Sequence, residues 1–250
     1  METIRNIALA KEANCDSDHV LQYALKLTDK LQAKLTIGLC YPSEASSMSF
    51  SGYMKDNPVK NAFQFVKEAY LDHANVDYRL VSCETDICDY ADETLTVYLP
   101  DLYLMDKTQV NDLYAFIDRV HCPLILLPKK IEFRNIERML IAADLNDKAG
   151  DYTSRYAFQL ADIFSSTFEM VDISDLNASI FKNTVSTKQV EAKHDKSDLR
   201  IYPHELKSMK KPDLLVIMVK DKFFGLMKSF YGPSIELLKT LDIPVMIYKV

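Results

Sequence analysis

The residues best suited to chemistry lie near the carboxyl end, in VKDKFFGLMKSFYGPSIELL at positions 219–238. Gly225 and Gly232 are two of only five glycines in the chain, and Lys220, Lys222, Lys228 and Ser234 lie around them. Glycine lets backbone turn through positive φ and approach a phosphate closely, so that successive N–H groups face the anion. Lysine adds charge and serine a hydroxyl donor. Asp144, after the apolar run MLIAA, is a second candidate, with Asn146 and Asp147 beside it. Those three could hold a metal, or could simply form the polar turn that follows a strand.

Other catalytic arrangements are missing. The chain has no GxSxG, HExxH, GxxxxGK[ST] or SGGxDS-like run. His19, His73, His121, His194 and His204 are isolated in sequence. His121 adjoins Cys122, but neighbouring side chains point apart on most backbones, so a Cys/His pair is not expected. The five cysteines are odd in number and irregularly spaced, without CxxC, and read as reduced core thiols. Zinc is not expected from this spacing.

Positioning these residues requires elements that the sequence states twice. QYALKLTDKLQAKLTIG begins at Gln22 and RYAFQLADIFSSTFEMV at Arg155, each a helical stripe followed by a strand-like run. Val20, Ala24, Leu27 and Leu31 share one helix face, as do Ala157, Leu160 and Phe164. LPDLYLMDK (99–107) is echoed by KPDLLVIMVK (211–220), each a buried strand opened by Pro-Asp. Helical patterns follow at Leu113, Phe116, Ile117 and Val120, and at Ile235, Leu238 and Leu241. Each half ends on an X-Pro bond and an apolar run, CPLILLP and IPVMIYKV. Apolar strands alternating with helices predict a parallel sheet covered on both faces, built twice. The boundary is expected in the charged PKKIEFRN, giving domains 1–130 and 131–250. The polar stretches at 43–58 and 174–198 read as surface loops or as lids over a crevice.

Composition bounds the partners. Apolar residues make up 48% and charged residues 26%, ordinary for a globular chain. The net charge of −6, with its acidic excess in the first half, speaks against nucleic acid and membrane surfaces as partners. No apolar run approaches a membrane span and the amino terminus lacks signal-peptide character, so a cytoplasmic location is expected. Phe223, Phe224, Phe230 and Tyr231 crowd the glycine loop; those not packed on the following helix would form a partner or dimer patch.

The order of elements, with MLIAADLND, RYAFQLAD, KPDLLVIM and FGLMKSFYGPSIELLKTLDIPVMI as its specific pieces, resembles the universal stress protein family in its tandem form. The resemblance implies two doubly wound α/β domains of Rossmann-like, adenine nucleotide alpha hydrolase-like type. Each would have a five-stranded parallel sheet, with ligands at the carboxyl ends where strand order reverses. It also implies an ATP site made of an Asp after the first strand and a Gly-x2-Gly-x9-Gly-Ser/Thr loop after the fourth. Asp144 matches the Asp. Set against the loop pattern without gaps, the glycine positions are Val219, Lys222 and Gly232, and the Ser/Thr position is Pro233.

These departures carry a physical cost. Val219 is β-branched and resists positive φ, and Pro233 has no N–H to offer. Charge-assisted donors contribute on the order of 1.5–3 kcal/mol each, so losing two weakens ATP roughly a hundredfold or more. Gly232-Pro233 is equally explained as a helix start, with proline at the first helical position. Alternatively, Lys220, Lys222 and Lys228 supply side-chain charge in place of backbone donors. The candidate nucleotide or anion site is therefore Asp144, Lys220, Lys222, Gly225, Gly232 and Ser234.

In the first half, Glu12 falls near the Asp position. Only six residues, 106–111, separate Met105 from Asp112, and none is glycine, so no phosphate cradle is expected there. The expected function is a non-catalytic stress-response module acting through protein partners, with ATP or another adenine nucleotide bound weakly or not at all. The alternative is a nucleotide sensor using the second-half site. The resemblance further implies pairing through the last strands, as a homodimer or an intramolecular pseudo-dimer.

Overall fold

A computed structural model of the chain describes residues 3–12, 18–40, 64–72, 74–83, 87–109, 113–143, 155–172, 212–219 and 241–249. The chain divides into two compact units, Met1–Phe133 and Arg134–Val250. The loops at 43–58 and 174–198 lie outside the described residues, as do the aromatic residues of the glycine loop. No helix among the described residues is long and apolar enough to cross a membrane.

The first unit contains strands β1 (Asn6–Glu12), β2 (Lys34–Cys40), β3 (Asp77–Cys83), β4 (Leu102–Asp106) and β5 (Leu124–Leu127). Its helices are α1 (Asp18–Leu31), α2 (Ile87–Val97) and α3 (Leu113–Arg119), with a π-helical turn at Lys67–Leu71. The strands run parallel in the order β3-β2-β1-β4-β5. β4 and β5 are buried throughout, as strands covered on both faces must be. Because crossovers are right-handed, reversal of direction between β1 and β4 puts α1 on one face and α2 and α3 on the other.

The helical stripes pack as their spacing requires. Val20, Ala24 and Leu27 are buried along α1, whereas Leu31 at its end is half-buried. Leu113, Phe116, Ile117 and Val120 are buried. Phe133 closes the unit by an edge contact with Tyr23 of α1, ring centroids 5.1 Å apart.

The second unit contains β6 (Arg138–Ala143), α4 (Arg155–Phe164), β7 (Thr167–Asp172), β8 (Leu214–Val219) and β9 (Val245–Lys249). The order of these four parallel strands is β9-β8-β6-β7. Of the five expected strands, four fall within the described residues. Ala157, Leu160 and Phe164 are buried along α4.

The Pro-Asp pairs have a structural explanation. Asp101 Oδ2 accepts the amide N–H groups of Arg5 (2.8 Å) and Asn6 (2.9 Å), tying the entrance of β4 to that of β1. Asp213 Oδ2 does the same for Glu137 (3.0 Å) and Arg138 (2.9 Å), joining β8 to β6. The prolines before the last strands also correspond: Pro123 O accepts from Tyr103 N, and Pro244 O from Leu215 N. No peptide bond among the described residues is cis.

Helices α1 and α4 end alike. Gln32 (φ 52°) and Ser165 (φ 53°) turn left-handed, and the next amide reaches back to Thr28 O and Ala161 O respectively. This paired bonding satisfies carbonyls that would otherwise be orphaned at a helix end.

Candidate functional site

In an open doubly wound sheet the crevice lies at the carboxyl ends of the two strands flanking the reversal. In the first unit those strands are β1 and β4. Lys11 and Glu12 end β1, Asp106 ends β4, and Asp18 and His19 begin α1. Apolar strand cores carry these charges to the crevice: IALA precedes Lys11 and LYLM precedes Asp106.

Among the described residues two couples lie here. The Lys11 ammonium donates to Asp18 Oδ1 at 2.9 Å, with the lysine side chain only 5% exposed. A buried ammonium requires such a partner, since an isolated charge there would cost several kcal/mol. Tyr70, from the π-helical turn, also bonds the Asp18 carboxylate and is held by Gln22. Burial acts to raise the Asp18 pKa. Hydrogen bonds from Lys11 and Tyr70, with the charges of Lys11 and His19, outweigh it and hold the carboxyl below its ordinary value of 3.8.

The second couple is Asp106 with His19. Asp106 Oδ2 lies 3.4 Å from His19 Nε2, and the aspartate side chain is 3% exposed. Its other oxygen accepts both the backbone N–H of Thr108 (2.8 Å) and the Thr108 hydroxyl (2.7 Å). The turn closes with Gln109 N–H donating to Asp106 O. Lys107 is buried, and its N–H continues the β4–β5 ladder to Leu127 O.

The Thr108 amide and hydroxyl are thus both directed at an internal carboxylate. Glu12, expected near the Asp position of the family motif, ends β1 with its side chain exposed. The Lys11 ammonium is engaged by Asp18. Cys122 also makes a poor nucleophile: burial pushes its thiol up to about 12, with Asp101 adding to the effect. Among the described residues no group of three or more His, Cys, Asp and Glu side chains is arranged to hold a metal ion.

Asp144, Lys220, Lys222, Gly225, Gly232 and Ser234 lie outside the described residues, with Asn146, Asp147 and Pro233. The strands that precede them in sequence are described. β6 ends at Ala143, β8 ends at Val219, and the two are neighbours, Ala142 pairing with Ile217. The reversal of strand order in the second unit falls between them.

His19, isolated in sequence, is paired in space. Sequence reasoning also missed Lys11, Asp18, Tyr70, Asp106 and Thr108. A usable signal existed for Lys11 and Asp106, because each is a charge at the end of a run that is otherwise wholly apolar. Tyr70 had none, since its approach to Asp18 depends on tertiary packing.

The fold and the position of this crevice define a doubly wound, Rossmann-like α/β protein. Solved structures with the same fold include a protein of unknown function from Pseudomonas aeruginosa PAO1 (15% identity, TM-score 0.60), the match covering 98% of this chain and 92% of that one. A universal stress protein from Archaeoglobus fulgidus DSM 4304 matches at 9% identity and TM-score 0.56, over 99% and 97% of the two chains. A candidate universal stress protein from Pseudomonas aeruginosa UCBPP-PA14 matches at 13% identity and TM-score 0.58, over 98% and 93%. No protein-family model and no curated protein matches the sequence.

Proposed function

We propose that this chain is a universal stress-type protein of the cytoplasm. It acts in stress response without catalytic turnover, through protein partners, with adenine-nucleotide binding weak or lost. The likeness in fold to universal stress proteins over almost the whole chain supports the family reading. The observation that carries the loss of nucleotide is the Asp106 carboxylate, which takes the Thr108 amide and lies against His19 at the first unit's crevice. In the second unit, Val219 and Pro233 spoil the cradle by sterics and by a missing donor.

A second reading keeps a nucleotide or anion at Asp144, Lys220, Lys222, Gly225, Gly232 and Ser234. It is favoured by the adjacency of β6 and β8, whose ends lead into Asp144 and Lys220. Calorimetric titration with ATP, ADP and AMP separates the two. The interaction module predicts dissociation constants of about 1 mM or weaker, unchanged by Asp144→Ala. Micromolar binding abolished by that substitution would establish the sensor instead.

A further inference from the structure

Cys40 is the last residue of β2 and Cys83 the last of β3, and the two are register partners. Both are reduced and buried, at 1% and 5% exposure. Adjacent strands run about 4.8 Å apart, which lies within the roughly 4.4–6.8 Å between Cα atoms that a disulfide spans. Register partners on parallel strands project to the same face, so the two thiols are brought side by side by the sheet itself.

Their surroundings are polar for a core. Tyr90 of α2 lies over β2 on that face: a Cβ at Gly38, two residues before Cys40, would overlap its ring. Both sulfurs are in electrostatic reach of the Tyr90 and Tyr103 hydroxyls. The Tyr103 hydroxyl is fully buried and has no hydrogen-bond partner among the described residues. Burial pushes both phenols well above their usual range, so each keeps its proton.

We propose that Cys40 and Cys83 are a peroxide-responsive modification site, forming a reversible disulfide across the β2–β3 pair. Cys83, the less enclosed of the two, attacks first: its thiolate displaces hydroxide from hydrogen peroxide, giving a sulfenic acid and, with the thiol proton, one water. The Cys40 sulfur then attacks the sulfenic sulfur, forming the S–S bond and releasing a second water. Two thiols are oxidised by two electrons in total and one peroxide is reduced to two waters. The bridge would close a covalent ring between the carboxyl ends of two neighbouring strands. This inference is independent of whether either unit binds a nucleotide.

The test is peptide mapping of the full chain after exposure to hydrogen peroxide and alkylation of remaining thiols. The expected result is a linked peptide pair containing Cys40 and Cys83 that dithiothreitol separates, with the Cys122 peptide alkylated throughout. Oxidised protein should also melt about 5 °C or more above the reduced form. A Cys83→Ser variant should yield no linked Cys40 peptide. Should that variant fail to fold, the wild-type map decides alone. Retention of both thiols, linkage of either to Cys15, Cys88 or Cys122, or conversion to sulfinic acid without a bridge would each overturn the proposal.

Discussion

At the scale of single residues, the first unit's crevice is a place where charge has been made to satisfy itself. Lys11 and Asp106 emerge from apolar strands at the carboxyl ends of β1 and β4, and each is met by a residue from the first turn of α1. The Lys11–Asp18 couple has a definite pH signature. The Asp18 carboxyl titrates below its ordinary value of 3.8 in the folded chain and near it in the unfolded chain. At the acid edge the unfolded state therefore binds more protons. The couple's stabilisation is fully present above the unfolded value and is lost as pH falls through the lower folded one. Urea unfolding of wild type and Asp18→Asn across the acid range should show this. The wild type should lose stability in that window with the steeper slope, and the variant should lack that component of it. Parallel curves would mean that the couple contributes nothing to folding.

At the scale of elements, the aspartates opening β4 and β8 act as staples. Each accepts two main-chain amides at the start of the neighbouring strand, positions where an edge of sheet would otherwise begin frayed. Removing either acceptor strands two donors, partly offset by water. Asp101→Ala and Asp213→Ala should each cost about 1–2 kcal/mol. Chemical denaturation measures that loss, and hydrogen exchange should localise it to the amides of Arg5 and Asn6 in the first variant and of Glu137 and Arg138 in the second. A loss spread evenly over each unit would contradict the staple. Their recurrence explains why Pro-Asp was legible as a repeat: Asp is a local device with the same two-amide geometry in both units.

At the scale of the whole molecule, a nucleotide that mattered energetically would shift the folding equilibrium by mass action. At a ligand concentration equal to its dissociation constant the stabilisation is about 0.4 kcal/mol, raising the melting temperature by about 1–2 °C for a chain of this size. ATP at about 1 mM should therefore move the unfolding transition by no more than that. A rise of about 5 °C or more would speak for the sensor reading and against the interaction module.

Much of the architecture was available from the order of residues alone. Parallel strands buried on both faces must be apolar throughout, and amphipathic helices must show a 3.6-residue stripe, so β4, β5, α1, α3 and α4 declare themselves locally. The stripe's spacing predicts Leu31 buried, yet it is half-buried because the helix ends there in a left-handed turn. The crevice was a different matter. That Lys11 should find Asp18, His19 should face Asp106, Tyr70 should reach Asp18, and Cys40 should stand beside Cys83 depends on strand order and register. Those contacts join residues whose spacing along the chain carries no period, and only the folded sheet brings them within a few ångströms.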